Sequence, residues 1–266
     1  MFTRRLTLTV LLAAGLLAAG MATALHAQER APEPPPPPPS FKGQTILVAG
    51  ANGRTGKHIV AALLADGAKV KAISRNIDKL KQDVPGAQWI AADVKDPATL
   101  KGVAKGVDRV VFAIGSNSFK DPSNKPELVD FKGVAALAAE AKSAGVKQFV
   151  LISSTGVTKS KPDATTGIDG IMRYKLDGEK ALIASGVPYT IIRPTGLWDK
   201  PGGQFGIVML AQDVSVPAMI TREDVATVTV QALASEKALN TTFEIFNIVV
   251  PDVNSWKKDF PKLSDK

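Results

Sequence analysis

The chain has 266 residues, a formal net charge of +8 and a hydrophobic fraction of 45%, which is enough apolar surface to build a folded core. It contains no cysteine, and this excludes disulfides, iron–sulfur clusters, cysteine nucleophiles and zinc bound by cysteine. Its two histidines are His26 and His58, and His26 falls in the leader described next. A serine–histidine–aspartate triad or a two-histidine metal site would rest on His58 alone, so we predict no metal.

Residues 1–27 have the pattern of a secretory signal peptide. Arg4 and Arg5 precede an apolar run from Leu6 to about Ala22, and small residues follow as far as Ala27. We therefore predict an exported, periplasmic protein, delivered by the general secretory route or by the twin-arginine route. Because the apolar run is slightly short for a membrane span, removal is favoured, and an uncleaved anchor stays open as the alternative.

A proline-rich linker is predicted for residues 28–40. It contains Pro32 and an uninterrupted run of prolines at 34–39. Such a run forms a stiff, extended spacer without internal hydrogen bonds. The folded domain is accordingly predicted for residues 41–266.

Short apolar and β-branched runs alternate with longer helical patterns through this domain. The predicted strands are 45–49, 70–74, 89–91, 109–113, 149–152 and 189–192. The predicted helices are 54–66, 126–143 and 170–185, with a later one opening at 222–224, and loops are expected at 156–170 and 196–218. This alternation predicts an α/β protein with a Rossmann-type doubly wound parallel sheet in three αβα layers.

The first predicted strand runs into a glycine-rich loop that opens the first helix, Gly50-Ala51-Asn52-Gly53-Arg54-Thr55-Gly56. In this context the spacing predicts a dinucleotide site. The first glycine would make a tight turn, the second would let the backbone approach a diphosphate, and the third would let the helix pack against the strand. Free N–H groups at the helix start would face the phosphates. A purely structural turn is the alternative.

The end of the second strand bears on the choice between NAD and NADP. Enzymes that prefer NAD usually carry an acid there, whereas this chain reads Ala72-Ile73-Ser74-Arg75-Asn76. Arg75 is therefore predicted to pair with the 2′-phosphate of NADP, with Arg54 as a helper, and NAD is the less favoured cofactor. A solvated surface arginine is the alternative for Arg75.

Two further strand ends supply candidate cofactor residues, Asp93 with Val94 and then Ala113, Ile114 and Gly115. The carboxylate of Asp93 would accept a hydrogen bond from the adenine amino group, or would instead cap the helix that follows it, and both interpretations stay open. Small residues at 113–115 would allow the dinucleotide to approach the backbone closely.

Residues 43–250 resemble the atypical short-chain dehydrogenase/reductases of the NAD(P)H-binding, NmrA-like group. The resemblance is carried in order by the glycine loop, Asp93-Val94, residues 151–154, Lys175 with Glu179, and residues 185–194, 220–226 and 242–245. This group includes flavin, biliverdin and quinone reductases, and also cofactor sensors that catalyse nothing.

The resemblance implies roles for several residues. Lys175 would hydrogen-bond the nicotinamide ribose with Glu179 as its partner one helical turn away, and Pro194 would end the sixth strand beside the nicotinamide. Arg193 would lie there too or serve as a structural ion-pair partner.

A serine-type residue survives after the fifth strand as Ser153, Ser154 or Thr155, although these could equally be turn residues. The candidate catalytic set is Ser154, Thr155 and Lys175.

The chain departs from this family at one position. Conventional members place a catalytic tyrosine four residues before the lysine, where this chain has Ile171, and Tyr174 lies about 100° around the helix from Lys175. Without that tyrosine no general acid is evident for an alkoxide. We therefore expect NADPH-dependent hydride transfer to a small conjugated acceptor of the flavin or quinone type. A non-catalytic NADP(H)-binding sensor or assembly protein is the alternative.

The expected partner is a small-molecule substrate. The basic tail at 256–262 lacks the patterned basic surface of a nucleic-acid binder, so none is expected, and weak attraction to an anionic membrane stays open. No oligomeric state is predicted.

Overall fold

The computed structural model describes residues 39–75, 77, 85–211, 213 and 216–258. The predicted leader, nearly all of the predicted linker and residues 259–266 of the basic tail lie outside these residues. Phe41 is buried, and its N–H donates to the carbonyl of Asp66. Within the described part of the chain, no helix combines the length and the apolar character that a membrane crossing requires.

An eight-stranded sheet forms the middle layer. Its strands are β1 (Thr45–Ala49), β2 (Lys69–Ser74), β3 (Gln88–Ala91), β4 (Arg109–Phe112), β5 (Gln148–Ile152), β6 (Tyr189–Pro194), β8 (Gly206–Leu210) and β10 (Thr241–Ile248). They lie in the order β3-β2-β1-β4-β5-β6-β10-β8. Every pairing is parallel except that of β8 with β10. The central strands β1 and β5 are buried along almost their whole length, which explains their continuous apolar sequences.

Helices cover both faces of the sheet. They are α1 (Gly56–Ala65), α2 (Val134–Ser143), α3 (Gly167–Ser185) and α4 (Arg222–Ala234), and a π-helical segment (Glu127–Gly133) leads into α2. Helices α1 and α4 pack into one apolar cluster with one face, and α2 and α3 pack into a second cluster with the other. The predicted Rossmann-type, three-layer fold is confirmed.

The expectation of loops at 196–218 is wrong in part. The stretch contains β7 (Gly196–Trp198) and β8, and β7 pairs with β9 (Met219–Thr221), which follows the stretch, in a separate two-stranded sheet. These strands are only three to five residues long, and β8 depends on pairing with β10, which is distant in sequence. Local periodicity carries no signal for such pairings.

The strand order reverses direction between β1 and β4. After β1 the chain builds β2 and β3 on one side, and it then returns to add β4 on the other side. The connections therefore leave a crevice beyond the carboxyl ends of β1 and β4, which is where ligands bind in sheets of this kind.

Asp108 ties together the starts of three neighbouring strands. Its carboxylate accepts a hydrogen bond from the backbone N–H of Thr45 at 2.9 Å and one from Lys147 Nζ at 2.9 Å. These two hydrogen bonds, in that order, lower the pKa of Asp108 against the opposing effect of burial. Because the folded-state pKa is depressed, the carboxylate stabilises the fold above the pKa of the unfolded state, and this stabilisation is lost as the pH falls through the folded pKa.

Asp108→Asn should therefore lower the free energy of unfolding at neutral pH by about 1 kcal/mol. The deficit should shrink as the pH falls below about 4, where the unfolded aspartate becomes protonated. Urea denaturation at neutral and acidic pH measures the difference in the free energy of unfolding. Asp163→Asn is the control, because Asp163 is exposed. An equal deficit at both pH values would contradict this assignment.

Candidate functional site

A continuous groove lies in the crevice at the carboxyl ends of the strands. It consists of two adjoining cavities, a smaller one of about 390 Å³ and a larger one of about 800 Å³. The residues that line both cavities are Gly53, Ala113, Ile114 and Gly115. The glycine loop and the end of β4 therefore form the junction of the groove, where the two cavities meet.

The glycine loop is packed tightly against the chain that follows β4. Gly50 has a φ of +86°, and a Cβ added there would lie 2.7 Å from the carbonyl oxygen of Ala113. A Cβ on Gly56 would collide with the carbonyl of Gly50, which explains why α1 can start directly beneath the loop. Thr55 makes no side-chain capping hydrogen bond, and the first turn of α1 carries no acidic residue. The N–H groups of Lys57 and His58 donate to the carbonyls of Gly53 and Thr55, so an anionic ligand would meet the amides that precede them.

The smaller cavity combines a basic rim with one carboxylate. Arg75 is exposed at the end of β2, and Lys95 and Asp93 lie opposite it after β3. The carboxylate of Asp93 accepts from the backbone N–H of Lys95 at 2.9 Å. The 3₁₀ turn at Pro97–Leu100 is capped by Asp96 instead, whose carboxylate accepts from the N–H of Ala98 at 3.1 Å. The capping alternative for Asp93 is therefore wrong.

Lys175 reaches the larger cavity from α3 and is held there by an ion pair. Its Nζ lies 2.8 Å from Oδ1 of Asp130, whose side chain is only 1% exposed. The other carboxylate oxygen of Asp130 accepts from the N–H of Ser116 at 3.1 Å. A Cβ added at Gly115 would lie 3.7 Å from the lysine Nζ, so the ammonium group sits against the floor of the groove.

The π-helical segment positions Asp130. Helix α3 approaches this segment so closely that a Cβ on Gly178 would collide with the carbonyl of Asp130. π-Helical turns occur frequently at functional sites. Here the turn brings a buried carboxylate to the lysine, and no motif in the sequence indicates it.

Hydroxyl groups from the end of β5 lie beside Lys175. Ser153 and Ser154 both line the larger cavity. The hydroxyl of Ser153 is buried and has no hydrogen-bond partner among the described residues, whereas that of Ser154 donates to the carbonyl of Thr155 at 3.2 Å. A buried hydroxyl without a partner at the edge of a cavity is available to a ligand.

No tyrosine or histidine side chain lines the groove as the structure describes it. The chain has only two tyrosines, of which Tyr189 begins β6 and Tyr174 packs beneath the guanidinium of Arg173, 4.9 Å from its ring centroid. His58 points toward Glu223, at 3.7 Å. The usual proton donors of dehydrogenases are thus missing from this part of the site.

Comparison with known protein families shows which family contains this chain and its groove. The sequence profile described as NAD(P)H-binding matches residues 50–236. The chain belongs to this NAD(P)H-binding family. The match includes the glycine loop, the strand ends that line the two cavities, and Lys175 of α3.

Two curated relatives illustrate the range of this NAD(P)H-binding family. The uncharacterized chloroplastic protein At2g37660 of Arabidopsis thaliana is 34% identical over 218 residues, which are 73% of this chain and 66% of that protein. The sanguinarine reductase of Eschscholzia californica is 31% identical over 248 residues, which are 77% of this chain and 90% of the enzyme.

A solved structure agrees with the family assignment. A candidate NAD-dependent epimerase/dehydratase from Bacillus halodurans superposes with a TM-score of 0.69 at 25% identity, covering 84% of this chain and 99% of that one. The NAD(P)H-binding protein therefore has the oxidoreductase-like fold of the atypical short-chain dehydrogenase/reductases, as its sequence resemblance indicates.

The structure brings most of the predicted cofactor residues of this NAD(P)H-binding protein to the groove. The smaller cavity is lined by Gly50, Asn52, Gly53, Arg75, Asp93, Val94, Ala113, Ile114 and Gly115. The larger cavity is lined by Gly53, Arg54, Thr55, Ala113, Ile114, Gly115, Lys175 and Pro194. Ala51 and Gly56 are buried beneath the loop and line neither cavity. Thr155, predicted as catalytic, also lies outside both cavities, with its N–H bound to the carbonyl of Pro194 at 3.0 Å.

Two predicted partnerships are wrong. Arg54 does not join Arg75, because it lines the larger cavity and pairs with Asp199. Glu179 is not the partner of Lys175.

Glu179 is instead buried against Arg193, whose Nη2 lies 2.6 Å from its carboxylate. Burial alone would lower the pKa of Arg193, but Glu179, Asp213 and Glu244 outweigh it and raise that pKa. Arg193 is thus a structural ion-pair partner. Lys175 and Glu179 are one helical turn apart on α3, but Lys175 pairs with Asp130 and Glu179 pairs with Arg193, so their spacing did not predict their partners.

Sequence reasoning missed several lining residues. They are Lys95 and Asn124 in the smaller cavity and Ser116, Asn117, Lys120, Thr195, Gly196, Leu197 and Arg222 in the larger one. Most lie after β4 or around β7, where the sequence carries no recognisable motif. Arg222 belongs to the segment 220–226 that carries the family resemblance, but the sequence indicates no role for it.

Proposed function

We propose that this protein is an NADPH-dependent reductase of a small conjugated acceptor of the flavin or quinone type. The observation that carries the proposal is the groove itself, which runs from Arg75, over the glycine loop, to Lys175 and Ser153. A basic group at one end and a lysine with a buried hydroxyl at the other are the elements that a reduced nicotinamide dinucleotide requires. The known activity of the sanguinarine reductase supports reductase chemistry for this chain as well.

The residues present fit NADP. The diphosphate would lie on the amides of the glycine loop that precede Lys57, where Gly50 and Gly53 carry no side chain to block its approach. The 2′-phosphate would pair with Arg75, and Lys95 lines the same cavity, where it pairs with Asp93 at 3.9 Å. No acidic residue stands at the end of β2, where NAD-preferring enzymes hold the ribose hydroxyls.

At the other end of the groove, Lys175 would hold the nicotinamide ribose. Asp130 holds the ammonium group in an ion pair, with 2.8 Å between Oδ1 and Nζ, so that the ammonium group lies against the floor of the groove at Gly115. Ser153 would donate its free hydroxyl to the ligand, and Pro194 and Leu197 would shield the reacting face from water. When bound, NADPH supplies the hydride.

The class of acceptor follows from the missing proton donor. Ile171 occupies the position of the usual tyrosine, and neither tyrosine of the chain lines the groove. A carbonyl reduced to an alkoxide needs a positioned acid. A conjugated ring system spreads the added charge and can take its proton from solvent, so it fits this site better.

The activity is tested by following NADPH absorbance at saturating cofactor with flavin and quinone acceptors. We expect acceptor-dependent oxidation of NADPH and little turnover with simple aldehydes or ketones. Tight NADPH binding without turnover of any conjugated acceptor would contradict the proposal.

Arg75→Gln tests the cofactor preference. Loss of one charged hydrogen bond should weaken NADPH binding by about tenfold. Because NADH lacks the 2′-phosphate, its dissociation constant should change by less than about twofold. Isothermal titration with both nucleotides provides the internal control. Equal weakening of both would show that Arg75 does not contact the phosphate.

A non-catalytic NADP(H)-binding sensor or assembly protein is the second candidate. It is favoured by Ile171, since the loss of the tyrosine would cost a sensor nothing. The two candidates differ in the activity assay above, because a sensor binds NADPH and oxidises none.

Export of the chain to the periplasm stays part of the proposal. It rests on the leader pattern at residues 1–27 and the proline run that follows it. Cell fractionation of the full chain tests it.

A further inference from the structure

The larger cavity is basic at the end formed by the glycine loop and α4. Arg54, Lys120 and Arg222 line it together with Lys175, and no acidic side chain among the described residues does so. The charge of Lys175 is compensated by the buried Asp130. The other three cations are therefore the ones that decide the charge of this end.

One carboxylate serves two of these cations. Asp199 accepts from Arg222 Nη1 at 2.8 Å and also pairs with Arg54. The side chain of Arg222 is only 11% exposed, and burial, followed by the charge of Arg54, lowers its pKa. Two guanidinium groups facing one carboxylate leave one positive charge uncompensated beside the largely buried Arg222.

Lys120 adds to this excess. It lies in the segment after β4, and its ammonium group makes no ion pair with any residue in the described ranges. Arg54 is 66% exposed, so it can turn from Asp199 toward a ligand at little cost. Arg222 is the one of the three that is largely buried, and a buried cation is stabilised by an anion that pairs with it.

We propose that this basic end is an anion-binding subsite that selects acceptors carrying a phosphate, sulfonate or carboxylate group. The inference deepens the proposed reductase function, on which it rests, by giving the acceptor's charge. In the proposed function the diphosphate of the cofactor would be held by the amides of the glycine loop, so it does not require these cations. Arg222 reaches the cavity from the junction of β9 and α4, and it shares Asp199 with Arg54 of the glycine loop.

The test uses pairs of acceptors that differ only in an anionic group. FMN and riboflavin differ by one phosphate, and 1,2-naphthoquinone-4-sulfonate and 1,2-naphthoquinone differ by one sulfonate. For the full-length protein we expect kcat/KM to favour the anionic member of each pair by about tenfold, as for one charged hydrogen bond. Arg222→Gln should remove most of this preference, and Arg222→Lys should retain part of it.

Lys237→Gln is the matched control, because Lys237 is exposed beyond the end of α4 and lines neither cavity. Its preference ratio should equal that of the unaltered protein. An unaltered protein that does not distinguish the two members of either pair would overturn the inference. So would an Arg222→Gln variant that loses NADPH affinity as strongly as it loses the preference, since the arginine would then serve the cofactor.

A binding measurement separates this inference from the proposed function. Quenching of flavin fluorescence in the protein saturated with NADP⁺ reports FMN and riboflavin affinity without turnover. Tighter binding of FMN, abolished by Arg222→Gln, would support the subsite even if no acceptor were reduced. In that case the reductase proposal alone would fail.

Discussion

Gly50→Ala is expected to abolish dinucleotide binding and to destabilise the fold by about 3 kcal/mol or more, because two costs combine. An alanine at a φ of +86° costs about 1–2 kcal/mol. The added Cβ would also lie 2.7 Å from the carbonyl oxygen of Ala113, and overpacking of this kind costs about 1–3 kcal/mol. The loop must then move away from β4 and into the groove. Isothermal titration with NADPH and urea denaturation measure the two effects.

Gly102→Ala is the matched control for this substitution. Gly102 has a φ of +77°, but nothing lies within 4 Å of a Cβ added there. Its variant should lose only the conformational cost, about 1 kcal/mol, and bind NADPH normally. If both variants lost equal stability and Gly50→Ala still bound NADPH, the close approach of loop and strand would not be the basis of the site.

Lys175→Met is expected to reduce the rate of NADPH oxidation by about 100-fold or more, since it removes a positioned hydrogen-bond donor from the reacting end of the groove. It also leaves the carboxylate of Asp130 buried without its cation, which should lower the free energy of unfolding by about 3 kcal/mol. Single-turnover kinetics and urea denaturation separate the chemical effect from the structural one.

The double variant Lys175→Met with Asp130→Asn tests that separation. Removing the orphaned charge should restore most of the lost stability while the rate of NADPH oxidation stays low. A Lys175→Met protein that retained more than about a third of the unaltered rate would exclude the lysine from the reaction, because a catalytic donor contributes far more than this.

The parts of the site that the sequence predicted are those built by contiguous residues. The glycine loop, the residues after β3 and β4, and Lys175 all follow from strand-then-helix spacing or from the family motif. Ligand-binding residues in such a sheet gather at the carboxyl ends of the strands, so the order of strands suffices to place them. The loop at 50–56 is the clearest instance.

The residues that the sequence did not predict are brought in by tertiary packing. Asp130 reaches Lys175 through a π-helical turn, which the sequence pattern predicts as ordinary helix, and the two residues are 45 positions apart in sequence. Asp199 and Arg222 meet through the small β7–β9 sheet, whose strands of three residues each carry no local signal. The position of Arg54 also depends on Asp199, a contact that the sequence did not indicate, and it places Arg54 in the larger cavity and not beside Arg75.

The most direct test of the central claim is a calorimetric titration of the purified full chain with NADPH and, separately, with NADH. We expect one tight site for NADPH, weaker binding of NADH, and a rise in the thermal unfolding midpoint with NADPH concentration. The absence of heat and of thermal protection with either nucleotide would contradict it.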